Sequence, residues 1–213
     1  MGQLQSPVEP LRQLRRAFWM RQLHQWHWIS SALCLIGLLL FAVTGITLNH
    51  ARQIEATPQV TRREAMLPTA LHAAIAGEEV RKAALPTPVG AWLNEELHVH
   101  VGELAAEWSA DEIYLSLPRP GGDAWLSIDR ASGDVEYELT RRGAIAYLND
   151  LHKGRNAGAA WGWFLDVFAL ACLVFAITGL FLLKFHAARR VSTWPLVTLG
   201  LVLPVLLALI FIH

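Results

Sequence analysis

The sequence predicts an α-helical membrane protein with three transmembrane helices and a small α+β domain inserted between helices 1 and 2. Three observations lead to this fold class. Of the 213 residues, 54% are apolar and 17% are charged, whereas an ordinary soluble domain has about 25% charged residues. Three long stretches hold almost no charge. All acidic residues except Glu9 and Asp166 lie between the first two of these stretches.

The three apolar stretches are residues 28–48, 157–183 and 191–212, and Asp166 is the one charged side chain within them. A helix needs about 20 apolar residues to cross the hydrocarbon core of a bilayer, so each stretch is long enough. Because no water is available there to bond the backbone amides, each span is predicted to be helical. Pro204 interrupts the third span and is expected to kink it mildly.

Basic residues predict the orientation, because cytoplasmic loops carry an excess of Lys and Arg. They precede the first span, in the segment 1–27, and recur in the loop 184–190. Both segments are therefore predicted to be cytoplasmic, which places residues 49–156 and the C-terminus on the other side. The first apolar run is too long for a cleavable signal peptide, so we expect it to remain as an anchor.

Residues 49–156 are predicted to form one small domain of helices and antiparallel strands. Residues 66–77 have the pattern of a short amphipathic helix, and residues 141–153 that of a helix leading into the second span. Alternating apolar residues predict strands, weakly at 97–102 and more clearly at 112–117, 124–129 and 135–139. The balanced charge, 18 basic against 18 acidic residues, argues against a nucleic-acid partner.

An inverted repeat connects the first two spans. Residues 41–48 read FAVTGITL and residues 175–182 read FAITGLFL, and the two predicted helices run in opposite directions. Small residues such as the Thr-Gly of each copy allow a neighbouring helix or a flat cofactor to approach the backbone. Plain helix packing is the alternative interpretation of this repeat.

Six histidines lie at the predicted membrane boundaries, where ionisable groups are costly and tend to be functional. They form two layers, with His24, His27 and His186 inside and His50, His152 and His213 outside. Histidine is also common at interfaces simply as an amphipathic ring. The two-layer arrangement favours a function over this simpler explanation.

Two layers of histidine on antiparallel helices suit one or two haem b groups, because haem iron takes axial imidazoles. The predicted outer pair is His50 with His152, with His213 as the substitute for either. The predicted inner pair is His24 or His27 with His186. Along a straight helix His27 and His50 are separated by about 34 Å, so two haems would extend across most of the membrane. A single outer haem is the alternative.

Three further polar side chains lie within the spans. Asp166 must be paired, hydrogen-bonded or protonated there, with Thr44 or Thr47 as expected partners. A proton relay and a structural polar contact both fit Asp166. Cys34 and Cys172 lie at mid-span and are interpreted as small apolar side chains that fill space.

The segments LHQWHWISSALCLIGLLLFAVTGITLNH at 23–50 and NDLHKGRNAGAAWGWFLDVFALACLVFAITGLFLL at 149–183 resemble the PepSY-associated transmembrane proteins. The residues WLSID and SGDV within 125–135 resemble a PepSY hairpin. The PepSY-associated transmembrane proteins are multi-pass proteins of the bacterial inner membrane, and they insert a periplasmic PepSY domain between helices. The resemblance implies haem b carried by the helices and electron transfer across the membrane, in some members to periplasmic ferric siderophores. The recurring histidines of the family match His24 and His152.

The sequence thus leads to two functional hypotheses. The first is a haem b-containing inner-membrane electron-transfer protein that reduces periplasmic ferric siderophore or iron, or relays electrons to such a reductase. No dinucleotide-binding motif is present, so a quinol or a cytoplasmic flavin reductase is the expected donor. With three helices instead of the four or more of larger members, a complete two-haem bundle requires a homodimer. The second hypothesis is a membrane-anchored PepSY binding or regulatory protein, acting on a peptidase or in signalling without redox activity.

Overall fold

The computed structural model describes residues 8–54, 57–77, 79–187 and 190–212. Three of its helices are long and apolar enough to cross a membrane. These are α1 (Val8–Asn49), α5 (Gly158–His186) and α6 (Thr193–Phe211). The prediction of three membrane-spanning helices is confirmed in helix number, length and apolar composition. Contacts divide the chain into two compact units, Met1–Leu38 with Asp166–His213, and Leu39–Leu165.

Helix α1 begins at Val8, well before the predicted span at residue 28, because the residues that precede the span are also helical. After Pro10 the segment up to residue 27 has no glycine or proline and is rich in Leu, Arg and Gln, which favour helix. Helix α5 extends past the predicted end at residue 183 to His186. Helix α6 continues through Pro204.

In the first unit, α1 and α5 approach each other closely. A Cβ atom at Gly37 would overlap the ring of Phe168, so the missing side chain at Gly37 makes room for that ring. Ser30 is buried, with its hydroxyl bonded to the carbonyl of Trp26. Helix α6 has no buried residue, and its apolar surface is the part that lipid would cover.

The second unit contains an antiparallel sheet and its helices. The strands are β1 (Gln59–Met66), β2 (Arg81–Ala84), β3 (Ala105–Trp108), β4 (Glu112–Ser116), β5 (Gly122–Asp129) and β6 (Asp134–Arg141), in the spatial order β1-β6-β5-β4-β3-β2. The helices are α2 (Thr69–Ile75), α3 (Thr87–Glu96) and α4 (Gly143–Lys153). One face of the sheet packs against α2 and α3, and together they form a single apolar core. Fully buried residues in this core are Ile75, Val89, Leu93, Leu126 and Ile128.

The strands predicted at 112–117, 124–129 and 135–139 are confirmed as β4, β5 and β6, and the helices predicted at 66–77 and 141–153 as α2 and α4. The weak strand prediction at 97–102 is wrong. His98 there has a left-handed φ of 52°, so the chain turns after α3 instead of extending. Val99 and Val101 alternate because they enter the core, although they pair with no strand in the described part of the sheet.

Candidate functional site

The second copy of the repeated motif, on α5, holds His27 of α1. His27 Nδ1 lies 3.1 Å from the Thr178 hydroxyl and 3.2 Å from the Phe175 carbonyl oxygen. The imidazole stacks on the Phe175 ring, with centroids 4.7 Å apart and an interplanar angle of 17°. Gly179 leaves the space for this contact, since a Cβ there would lie 3.2 Å from His27 Cε1. Phenylalanine, threonine and glycine of one motif thus contact a single histidine.

The first copy, on α1, holds His152 of α4 in the same manner. His152 Nδ1 lies 2.6 Å from the Thr44 hydroxyl. The Phe41 and His152 ring centroids are 4.8 Å apart. A Cβ at Gly45 would lie 3.6 Å from His152 Cε1. The two copies therefore share one set of histidine contacts, which plain helix packing does not require.

Local bonds hold the end of α4, where His152 lies. Gly154 adopts a left-handed conformation that ends the helix, and its N–H donates to the carbonyl groups of Asp150 and Leu151. Trp161 Nε1 also donates to the Leu151 carbonyl, at 2.9 Å. One turn before His152, the buried Asn149 accepts a 2.8 Å hydrogen bond from Thr47. Residues before and after His152 are thus held by hydrogen bonds, and these bonds fix the position of His152 at the end of α4.

The hydrogen bonds also determine which ring nitrogen carries the proton. Thr178 donates its one hydroxyl hydrogen to the Val174 carbonyl at 2.7 Å, and Thr44 donates to the Leu40 carbonyl at 2.8 Å. Each hydroxyl is then left to accept a bond from the histidine. We therefore assign the proton to Nδ1 in His27 and in His152. In the neutral imidazole the available lone pair is then that of Nε2.

The other described boundary histidines have the same tautomer. In His24, His50 and His186, Nδ1 lies 2.8–3.0 Å from a carbonyl oxygen one turn earlier in its own helix. A carbonyl can only accept, so Nδ1 must donate. In contrast His72, in the α+β domain, bonds the Leu67 carbonyl through Nε2. A donor Nδ1 is therefore shared by the five described histidines at the predicted membrane boundaries, and in the neutral imidazole this leaves Nε2 unprotonated.

The structure brings some predicted partners together and not others. The rings of His24 and His186 contact each other edge to face, with centroids 5.9 Å apart, and their role as an inner axial pair stays a prediction. His50 is exposed and bonds its own helix, whereas His152 contacts Thr44 and Phe41. The pairing of His50 with His152 therefore stays a prediction. His213 lies outside the described residues.

The remaining candidate groups, a metal cluster and Asp166, form no further site among the described residues. Within the described ranges, no three His, Cys, Asp or Glu side chains converge on a possible metal. Asp166 is exposed, and its expected partners Thr44 and Thr47 bond His152 and Asn149 instead. The small residues of the repeat were recognisable in the sequence, whereas the hydrogen bonds that its threonines accept from histidine were not. The identical spacing of Phe, Thr and Gly in the two copies was the available signal.

The three long apolar helices indicate a multi-pass membrane protein, and a sheet region accompanies them. A family model described as "Putative PepSY_TM-like" matches residues 18–213. The chain therefore belongs to this PepSY-associated transmembrane family. No curated protein and no solved structure matches it.

Proposed function

We propose that the protein is a haem b-containing electron-transfer protein of the bacterial inner membrane. In this proposal it reduces ferric siderophore or iron in the periplasm, or relays electrons to such a reductase. The observation that supports it most strongly is the common tautomer of the five boundary histidines, because an axial ligand to haem iron must offer an unprotonated ring nitrogen.

The contacts of His27 and His152 are those expected of iron ligands. A ligating histidine usually donates its second ring N–H to an acceptor, which orients the ring and makes the ligating nitrogen more basic. Thr178 and Thr44 supply these acceptors at 3.1 and 2.6 Å. The flanking phenylalanine rings at 4.7 and 4.8 Å restrict rotation of each imidazole.

Haem fits this donor set better than a free metal ion does. Bound haem supplies a one-electron ferric–ferrous couple and needs at most two protein ligands. The absence of a three-ligand cluster among the described residues therefore does not count against haem. His152 would hold an outer group together with His50, and His27 or His24 would hold an inner group together with His186. The apolar helices suit an apolar macrocycle.

The proposed direction of transfer follows from the predicted orientation. Electrons would enter from a membrane quinol or a cytoplasmic flavin reductase and leave on the periplasmic side, where the inserted domain is predicted to lie. With three helices per chain, a homodimer would supply the additional helices that a complete two-haem bundle needs. The bilayer is the remaining partner, and no nucleic acid is expected.

A second candidate function is a membrane-anchored binding or regulatory protein, and the sheet provides the observation that favours it. The strand face opposite the core carries an exposed Tyr114 that stacks on Trp125, with ring centroids 6.3 Å apart. Acidic side chains of β6, Glu136 and Glu138, lie on the same face. Exposed aromatic side chains of this kind are enriched at protein interfaces. A peptidase or signalling partner would bind there without any redox step.

An absorption spectrum separates the two functions. We expect the full chain, purified from cells supplied with a haem precursor, to show a Soret band and sharp α and β bands after reduction. His27→Ala and His152→Ala should each lose haem or low-spin character. His72→Ala is the matched control, because His72 bonds through Nε2 and lies in the α+β domain. A colourless wild-type preparation from such cells contradicts the haem proposal and favours the binding protein.

A further inference from the structure

The two cysteines face each other across α1 and α5. They are the only cysteines of the 213-residue chain. Cys34 lies one turn from Gly37 and Cys172 lies one turn from Phe168, the two residues at which α1 and α5 touch, so both cysteines are on the facing sides of these helices. Cys34 is fully buried, with 0% of its surface exposed, whereas Cys172 is partly exposed. Two thiols on the facing sides of packed helices can do more than fill space.

Packing on both sides holds the thiols in register. On one side of Cys34, one and two turns earlier in α1, Ser30 is buried and His27 bonds Thr178 of α5. On the other side Gly37 lies directly against the Phe168 ring. Because α1 and α5 are in contact both before and after the cysteines, the thiol pair is a fixed feature of the helix packing.

We infer that Cys34 and Cys172 are a redox pair that closes to an interhelical disulfide, with a membrane quinone as the oxidant. Two S–H bonds break and one S–S bond of about 2.05 Å forms. The two electrons and two protons released reduce the two quinone oxygens to hydroxyls, so the products are one disulfide and one quinol. This reaction is separate from the proposed haem function and does not require haem.

The position of the pair determines the class of oxidant. Both cysteines lie inside helices long and apolar enough to span a membrane, where water-soluble oxidants such as oxidised glutathione are poorly soluble. Quinones dissolve in the hydrocarbon core. Cys172 is the partly exposed sulfur, so it is the one that a quinone reaches first. Cys34, buried behind it, then forms the S–S bond as the resolving thiol.

The test uses the full chain in lipid nanodiscs, with decylubiquinone as the probe. A protease site inserted after Gly102 allows the chain to be cut between the two cysteines. We expect the halves to stay linked on a non-reducing gel after quinone treatment and to separate with dithiothreitol. The two thiols that react with PEG-maleimide after denaturation should fall to none, with about one quinol formed per chain.

Three variants serve as controls. Cys34→Ser and Cys172→Ser should each abolish the link. In the double variant C172S/L173C the thiol moves one position along α5 to a side chain that is 55% exposed, and no link should form. Protein purified from cells grown without the haem precursor should still form the link, which separates this result from the haem proposal. The inference is overturned if wild-type protein keeps two reactive thiols with decylubiquinone, or if C172S/L173C links as readily as wild type.

Discussion

The hydroxyl of Thr44 lies 2.6 Å from Nδ1 of His152 and at the same time donates to the Leu40 carbonyl one turn earlier. It therefore accepts from the imidazole and directs the His152 proton to Nδ1. Thr178 does the same for His27. One short motif, used twice in helices of opposite direction, thus orients two histidines with a free Nε2.

Removal of the threonine hydroxyls should weaken cofactor binding without removing a ligand. We expect Thr44→Val and Thr178→Val to lower haem affinity by about 10–100-fold, the usual effect of losing the acceptor behind a ligating histidine. Haem transfer to apomyoglobin measures this affinity. Thr44→Ser and Thr178→Ser keep the hydroxyl and should behave like wild type. Equal losses in the Val and Ser variants would mean that the methyl group matters and the hydrogen bond does not.

The two motif glycines should differ in their tolerance of alanine. A Cβ at Gly179 would lie 3.2 Å from His27 Cε1, whereas at Gly45 the corresponding distance to His152 is an ordinary 3.6 Å. Gly179→Ala should therefore lower the free energy of unfolding by about 1–3 kcal/mol, the usual cost of overpacking. Gly45→Ala should be close to neutral. Unfolding in mixed micelles with increasing SDS compares the two, and the reverse order would contradict the packing described here.

The number of haems should depend on the inner histidines. If an inner group exists, a triple substitution of His24, His27 and His186 by Ala should lower the haem content from about two per chain to about one. The pyridine haemochrome spectrum with a protein assay gives this ratio. About one haem per chain in both wild type and the triple variant would confine the cofactor to the outer histidines.

The β5–β6 turn should show a defined pH dependence. Hydrogen bonds from the Ser132 N–H, the Ser132 hydroxyl and the Ala131 N–H lower the pKa of the Asp129 carboxyl below its ordinary value. A carboxyl with a lowered folded-state pKa adds stability above its unfolded pKa of about 3.9 and loses it as the pH falls through the folded value. Asp129→Asn should therefore lower Tm at pH 7, and the difference from wild type should shrink as the pH falls below about 3.9. Ser132→Ala, which removes the hydroxyl donor to Asp129, should reduce the same difference in thermal melts.

The predicted topology can be tested by cysteine labelling in a C34S/C172S background. Glu103 is exposed in the loop between α3 and β3, and Glu103→Cys should react with an impermeant maleimide in intact spheroplasts. Arg190→Cys, in the loop between α5 and α6, should react only after lysis. The opposite pattern would reverse the orientation and with it the assignment of inner and outer histidines.

Strands with a buried, alternating pattern were predictable, and strands without one were not. Residues of β4, β5 and β6 alternate between buried and exposed positions. The edge strand β1, QVTRREAM, is exposed along nearly its whole length, so it carries no such pattern. By sequence alone, two prolines as close as Pro86 and Pro88 favour a turn. In the structure Pro88 lies in the first turn of α3, where proline lacks only an N–H that would have no partner.

The three apolar spans, the inverted repeat and the histidines near the span ends could all be predicted from the sequence. These features follow from hydropathy and spacing along one chain, which are local properties. The contacts of Thr178 with His27 and of Thr44 with His152, and the facing positions of Cys34 and Cys172, were visible only in three dimensions. Such contacts depend on the rotation and axial shift of one helix against another. Packing of many side chains sets these two quantities, and no local pattern encodes them.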